Sequence, residues 1–216
     1  MDLSMGDLTT HRGYLIKNRK GLKRWEPLIE EWLLCIERYC QVAAGEDAPF
    51  IYTERANIGV LAGAAWRCGR IALEEFQYQK GYKNKRKWNG RADLYLASEI
   101  TEEMIEAKFG WLSLSTPERV LERIKIVLTL AEADAKETQG GHTDTSCTAV
   151  AFLPAWLPTK HPDGLEPKIK AAIECLPESA SHAVAWCFPK EYRRVENSIG
   201  NYTPGIVMAV ANPEYS

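Results

Sequence analysis

The sequence predicts a single α/β domain built around a mixed central sheet. Segments with apolar residues at helical spacing alternate with segments typical of strands, in the order helix, three strands, helix, strand, helix, strand. Short connections join the first three strands, as in antiparallel neighbours, whereas a long helix separates the third strand from the fourth, as in a parallel crossover. A chain of 216 residues is long enough for one well-packed domain and short for two.

The N-terminal part is predicted to be a basic leader followed by helices. In the first helix, over 26–43, apolar residues recur at helical spacing: Leu28, Trp32, Cys35, Ile36 and Tyr39. A second helix is predicted to begin after Thr53, which is suited to be its N-cap, and to end at Gly69. We expect residues 1–48 to pack on the core as a leader and helix, and residues 49–216 to form the α/β domain.

Three strands are predicted next, over 71–79, 91–97 and 103–109. The first alternates in part between polar and apolar residues, and the other two have apolar flanks. Asn89-Gly90 is a turn signal between the first and second strands. The loop that contains this signal is strongly basic.

The remaining elements complete the predicted sheet. A long helix is predicted to begin near 115–117, where a proline takes the first helical position, and the Gln-Gly-Gly run at 139–141 is predicted to end it. The elements that follow are a strand over 148–153, a helix over 166–176, and strands over 182–188 and 205–211. No repeat or interdomain linker interrupts this order.

Composition places the chain among cytoplasmic globular proteins. The apolar fraction of 45% and the charged fraction of 26% are ordinary for such a protein. No apolar run approaches the roughly 18 residues that a membrane helix needs, and residues 1–10 lack the apolar core of a signal peptide. The six cysteines form no CxxC pair, so we expect reduced thiols and neither a disulfide framework nor a zinc site.

Positive charge is concentrated in two segments. Residues 11–25 contain six Lys or Arg and no acid, and residues 80–91 again contain six and no acid. Either run predicts a basic face for an anionic partner, and either could instead be a solvated loop. The first run could also be a disordered tail.

Asp93, Glu106 and Lys108 are the candidate catalytic residues. Side chains alternate faces along a strand, so Glu106 and Lys108 share one face, and Asp93 joins them if its strand is the neighbour. Two adjacent carboxylates repel each other, and a divalent cation relieves that repulsion. Carboxylate oxygens suit Mg²⁺, for which Mn²⁺ can substitute, so Asp93 and Glu106 are the predicted metal ligands. Lys108 would orient the attacking water or neutralise charge on a phosphate.

These residues resemble a known motif. Asp93, twelve intervening residues and the run Glu106-Ala107-Lys108 resemble the PD-(D/E)xK motif of restriction-endonuclease-like nucleases, with Ala92 in the place of the proline. The predicted element order over 53–153 resembles the αβββαβ core of that superfamily. The resemblance implies Mg²⁺-dependent hydrolysis of phosphodiester bonds, with DNA as the expected substrate. A symmetric homodimer stays open as the assembly, because many double-strand cutters need two active sites.

The resemblance also implies supporting acids and a nucleic-acid surface. Glu54 is a candidate because it shares a helix face with Ile58 and Leu61, although the helix dipole alone would favour an acid there. Glu75 is the second candidate, with its neighbour Glu74 as the alternative. Lys and Arg contact phosphates, and the candidates for that role are Lys83, Lys85, Arg86, Lys87 and Arg91.

Two other hypotheses stay open on the sequence. The chain could be a non-catalytic nucleic-acid-binding or assembly protein that uses the same fold. It could also be an unrelated α/β protein in which these acids are surface residues. A separation of Asp93 and Glu106 beyond about 8 Å would decide for the latter, because the ligands of one Mg²⁺ lie about 2.1 Å from it.

Overall fold

The protein folds around an eight-stranded mixed sheet with helices on both faces. The computed structural model describes residues 9–81, 86–141, 146–160 and 164–213. Its strands are His11–Ile16 (β1), Ile71–Gly81 (β2), Lys87–Ala97 (β3), Glu102–Phe109 (β4), Leu112–Ser113 (β5), Ser146–Pro158 (β6), Ala183–Phe188 (β7) and Asn201–Ala211 (β8). Its α-helices are Arg19–Leu22 (α1), Glu26–Val42 (α2), Glu54–Arg67 (α3), Pro117–Gly141 (α4) and Leu165–Cys175 (α5). The predicted α/β class with a mixed central sheet is confirmed.

The topology of the sheet agrees with the predicted connections. The strand order is β1-β7-β8-β6-β4-β3-β2, and β5 pairs with the C-terminal half of β6. The strands β2, β3 and β4 are antiparallel neighbours. In contrast, β4 and β6 are parallel, and α4 makes the crossover between them. The segment from α3 to β6 therefore has the order helix, three antiparallel strands, helix, parallel strand.

Apolar side chains cover both faces of the sheet. On one face α2 and α3 pack against a cluster that includes Ile105 and Ala107 of β4. On the other face α4 and α5 pack against a cluster that includes Met104. Because side chains alternate along a strand, Glu106 and Lys108 leave β4 on the α4 side, where both contact that helix.

The basic leader contains a strand that the sequence pattern did not predict. Strand β1 pairs antiparallel with β7, from His11 opposite Phe188 to Ile16 opposite Ala183. Tyr14 and Ile16 pack against the core beneath α2. The alternation that identifies a strand is thus present but short, and neighbouring cations obscure it. A disordered tail is the wrong interpretation for this segment.

Two cations of the leader form ion pairs with carboxylates of the domain. Arg12 lies 2.7 Å from the carboxylate of Glu37 on α2. Arg24 lies 3.0 Å from the carboxylate of Glu103, which is buried on β4. These two side chains connect the leader to the domain. Both are already paired with carboxylates, which does not support the hypothesis that every cation of this run contacts a nucleic-acid backbone.

The turn predicted at Asn89-Gly90 is wrong. Both residues lie inside β3, and the β2–β3 hairpin stays paired as far as Gly81 opposite Lys87. Gly90 has a different role. A Cβ atom there would lie 2.8 Å from both Cγ and Cδ of Lys80, so the Lys80 side chain crosses the strand at the position where the glycine leaves room.

None of the six cysteines, all of which the structure describes, is part of a disulfide bond. All six cysteines are free thiols, and burial raises the pKa of Cys40 to about 12 and raises the pKa values of Cys147 and Cys187 as well. These buried thiols stay protonated and unreactive at neutral pH. In the described part of the chain, no helix combines the length and the apolar character required to cross a membrane.

Candidate active site

Next to Asp93, the side chains of β3 depart from regular alternation between the two faces of the sheet. Leu94 belongs to the core beneath α3, whereas Ala92 belongs to the core beneath α4, so the alternation of side chains is interrupted between them. On the facing strand Glu75 has a φ of 54°, and the β2–β3 pairing omits it. Asp93 is directed toward β4, where its Oδ2 accepts a hydrogen bond of 2.7 Å from the backbone N–H of Ala107.

Glu106 is a buried carboxylate with two donors on one oxygen. The residue is 1% exposed. Thr138 of α4 donates a hydrogen bond of 2.5 Å to Oε1, and Nζ of Lys80 lies 2.7 Å from the same oxygen. Burial raises the pKa of Glu106 to about 7; the charge of Asp93 also raises it, while Lys80 and Thr138 lower it. Glu106 therefore changes its charge near neutral pH.

The burial of Glu106 bears on the hypothesis of an unrelated α/β protein. That hypothesis treats these acids as surface residues, which is wrong for Glu106, and the relationship of the chain to other proteins stays open. Asp93 is half-buried, and burial raises its pKa, while the N–H of Ala107 and the ammonium groups of Lys108 and Lys80 lower it. Two acids and two amines thus act on one another between β2, β3 and β4.

Lys108 reaches from β4 to α4. Its ammonium group forms an ion pair with the carboxylate of Asp134. Burial by itself would lower the pKa of Lys108, but Asp134, Glu54 and Asp93 together raise it above its ordinary value. Lys108 is therefore a permanent cation at neutral pH, held on the same side of the sheet as Glu106.

Of the two supporting acids, the structure brings Glu54 to this group, whereas Glu75 lies at its edge. Glu54 is the first residue of α3, and burial raises its pKa; Asp93 also raises it, while Lys108 and the backbone of Phe109 lower it. Glu75 is exposed and forms an ion pair of 3.3 Å with Arg91, yet its charge contributes to the raised pKa of Asp93.

The predicted nucleic-acid contacts are described only in part. Lys83 and Lys85 lie outside the described residues. Arg86 and Lys87 are exposed where β3 begins, and Arg91 is exposed but pairs with Glu75. The described cations at this end of β3 are therefore open to solvent, and one of them already has a carboxylate partner.

Sequence reasoning missed three residues that contact the predicted site: Lys80, Asp134 and Thr138. Thr138 left a signal, because it continues the buried stripe of α4 from Ala131 and is a polar residue on an apolar face. Asp134 is four residues before Thr138, so both project from one side of the helix. No sequence signal distinguished Lys80, because it is one of six Lys and Arg residues in the basic run 80–91.

The site suits a hard divalent cation. Among the described residues, no donor contacts Oε2 of Glu106 or Oδ1 of Asp93, whereas the other oxygen of each carboxylate is fixed by protein donors. The described residues contain no cluster of three or more His, Cys, Asp or Glu side chains that could hold a metal ion. Mg²⁺ needs fewer protein ligands, because it is commonly held by one or two carboxylates and keeps several waters. Two carboxylates therefore match the number and type of protein ligands that Mg²⁺ commonly takes.

Comparisons with known proteins do not assign the chain to a family. No family model, curated protein or solved structure matches it. The function therefore has to be inferred from the side chains of the site.

The raised pKa of Glu106 predicts an unusual dependence of stability on pH. A carboxyl whose folded-state pKa is about 7, compared with 4.5 in its ordinary state, binds its proton more tightly when the protein is folded. In the absence of metal, the free energy of unfolding should fall by on the order of 3 kcal/mol from this group as pH rises from about 4.5 through 7.

Urea unfolding at a series of pH values measures this dependence. The Glu106→Gln variant cannot titrate at this position, so its stability should fall less than that of the wild type over the same interval. Equal pH slopes in the two proteins would contradict the assignment. The change of stability with pH is compared, and not the stability at a single pH, because Gln also alters the hydrogen bonds of Thr138 and Lys80 to this side chain.

Proposed function

We propose that this chain is a Mg²⁺-dependent nuclease that hydrolyses phosphodiester bonds in DNA. The observation that carries the proposal is the arrangement of Asp93, Glu106 and Lys108 where β3 meets β4. The carboxylate of Glu106 is buried and that of Asp93 is half-buried, and the charge of Asp93 acts on Glu106. Placing two such carboxylates together is unfavourable unless a cation binds them, so their convergence indicates a site with a use.

The topology around the site supports a restriction-endonuclease-like core. The segment from α3 to β6 contains a helix, three antiparallel strands, a crossover helix and a parallel strand. Asp93 lies on the second of these strands, and Glu106 and Lys108 lie on the third, as the PD-(D/E)xK motif requires. Glu54 begins the helix that precedes them. The motif and the order of elements thus agree.

Each residue of the site has a role in the proposed reaction. Bound Mg²⁺ would supply a Lewis acid that polarises a phosphate oxygen and lowers the pKa of a water molecule. Asp93 and Glu106 would hold the ion, and among the described residues one oxygen of each carboxylate has no donor. Lys108 stays charged and neutralises negative charge that develops on the phosphate. Asp134 pairs with that ammonium group, and the charge of Glu54 also acts on it.

The substrate would approach along the basic hairpin. Arg86 and Lys87 are exposed at the start of β3, and Lys83 and Lys85 precede them in the chain. Cations of this kind contact phosphates without reading sequence. We therefore expect binding that weakens steeply with salt. A symmetric homodimer stays a prediction for an enzyme that cuts both strands.

A cleavage assay tests the proposed function. Purified protein is incubated with single-stranded and double-stranded DNA and with RNA, in Mg²⁺, in Mn²⁺ and in EDTA. The proposal predicts cleavage of DNA with either metal and none with EDTA. Cleavage that persists in EDTA, or binding of DNA with no cleavage in either metal, would contradict it.

The cleavage rate should depend on pH through Glu106. Its protonated carboxyl is a poor metal ligand, and burial raises its pKa to about 7. At subsaturating Mg²⁺ the rate should therefore rise with pH through about 7 and then level off, whereas an ordinary glutamate would give a midpoint near 4.5. Saturating Mg²⁺ should shift the midpoint downward. A midpoint that ignores the Mg²⁺ concentration would exclude Glu106 as a ligand.

A non-catalytic nucleic-acid-binding or assembly protein with the same fold is the second candidate. One observation favours it: the charges of Glu106 and Lys108 are both paired inside the protein, with Lys80 and Asp134. In a protein that never holds a metal, such pairs would simply neutralise the site. Mn²⁺ binding separates the candidates, because only the nuclease requires Asp93 and Glu106 to hold the ion.

A further inference from the structure

Lys80 contacts the site but is not one of the three residues of the nuclease motif. Its Nζ lies 2.7 Å from Oε1 of Glu106. We propose that Lys80 is an internal counter-cation of Glu106, which competes with the divalent metal ion for this carboxylate. This inference rests on the proposed function, because it concerns the metal that Glu106 would hold together with Asp93.

The path of the Lys80 side chain is built into the hairpin. Lys80 is the second-last residue of β2, and its Cγ and Cδ lie 2.8 Å from the position that a Cβ atom of residue 90 would occupy. Because residue 90 is glycine, the side chain crosses β3 and reaches β4 with only 15% of it exposed. A surface lysine would keep its ammonium group in water, so this placement indicates a specific pairing with Glu106.

The charges of the site explain why this pairing opposes metal binding. Lys108 has its own partner in Asp134, so the positive charge in contact with the buried Glu106 is that of Lys80. An ammonium group and a divalent cation on the same carboxylate repel each other, whichever of its oxygens each one uses. Binding of the metal therefore weakens the Lys80 contact, and the Lys80 contact weakens binding of the metal.

The pairing has a consequence for the metal-free protein. A buried carboxylate without a partner is strongly unfavourable, and Lys80 supplies that partner when no metal is present. The protein can therefore fold without metal and without an unpaired charge at Glu106. Metal uptake then exchanges one cation for another, and it frees an ammonium group near the end of β2, close in the chain to the basic residues that precede β3.

Metal affinity in the absence of nucleic acid tests the inference. Free Mn²⁺ is measured by electron paramagnetic resonance in titrations of the wild type, Lys80→Met and Lys136→Met. Lys136 is an exposed residue of α4 near Thr138, so its replacement removes the same charge without touching Glu106. Lys80→Met should bind Mn²⁺ at least about tenfold more tightly than the wild type, because the repulsion is lost. Lys136→Met should stay within about twofold, because its charge is solvated.

An affinity of Lys80→Met that is equal to or weaker than that of the wild type would overturn the inference. A second measurement uses the wild type alone, in case the variant does not fold. Acetic anhydride labels amines, and mass spectrometry reports the rate at each lysine. Saturating Mg²⁺ should speed labelling of Lys80 and leave Lys136 unchanged. An unchanged rate at Lys80 would also overturn the inference.

The same titrations separate this inference from the proposed function. If the wild type binds Mn²⁺, Asp93→Asn abolishes that binding and Lys80→Met binds no more tightly, the metal site stands and the competition fails. If neither the wild type nor Lys80→Met binds Mn²⁺, both fail. Binding that appears only in Lys80→Met supports the competition in its strongest form.

Discussion

Replacement of Asp93 by Ala is expected to lower Mg²⁺-dependent cleavage at least about 10³-fold, because it removes a metal ligand and with it the stabilisation of charge in the transition state. Lys108→Met should have a comparable effect on the cleavage rate for a different reason. In the proposed reaction its ammonium group would act on the phosphate and would not ligate the metal. The two side chains also differ in their contacts, since Lys108 pairs with Asp134 while Asp93 accepts a hydrogen bond from the backbone of Ala107.

Metal binding distinguishes the two variants. Asp93→Ala should lose Mn²⁺ binding, whereas Lys108→Met should retain it and lose only catalysis. Glu122→Gln and Lys136→Met are the control variants on α4, because each removes one charge from an exposed residue. Both controls should cleave within about twofold of the wild type, as surface changes usually do. Cleavage by Asp93→Ala or Lys108→Met at the wild-type rate would refute the assigned site.

Replacement of Glu103 by Ala is expected to lower the free energy of unfolding by about 3–5 kcal/mol, because it removes the acid from a buried ionic cluster. Glu103 is 1% exposed. Its carboxylate accepts hydrogen bonds from Arg24 at 3.0 Å and from Arg70 at 3.3 Å. The indole N–H of Trp25 at 3.1 Å and the hydroxyl of Thr148 at 2.9 Å also donate to it. The variant would leave two guanidinium groups without their counter-charge.

Denaturant unfolding measures this loss, and Glu102→Ala is the matched control. Glu102 is the exposed neighbour of Glu103 on β4, and it accepts a hydrogen bond from the hydroxyl of Tyr95. Its replacement should cost no more than about 1 kcal/mol, the usual range for an exposed contact. A loss of less than about 1 kcal/mol for Glu103→Ala would mean that the cluster does not fasten the leader to the sheet.

Local patterns predicted the central part of the fold. The alternation around Glu106 and Lys108 depends only on strand geometry, and their shared contact with α4 follows from it. The short connection from Ala97 to Glu102 made β3 and β4 neighbours, which brought Asp93 to Ala107. Helical periodicity located α2, α3 and α4 within a few residues. These features involve residues close together in the chain.

Other features depend on contacts that no local pattern encodes. Strand β1 is too short and too basic to be recognised without its partner β7. Asn89-Gly90 has the composition of a turn, but the pairing of β2 with β3 overrides that preference. The contact of Lys80 with Glu106 depends on the pairing of β2 with β3 and of β3 with β4. Lys80 and Glu106 are far apart in the chain, so no local sequence pattern predicts this contact.

A crystal soaked in Mn²⁺ would show whether Asp93 and Glu106 hold a metal ion. We expect one anomalous density peak between them, with carboxylate oxygens about 2.1–2.2 Å from the ion. We also expect Nζ of Lys80 to lie farther than 2.7 Å from Oε1 of Glu106. No peak at these carboxylates at saturating Mn²⁺, with Lys80 still in contact with Glu106, would contradict the claim that this chain holds a catalytic metal.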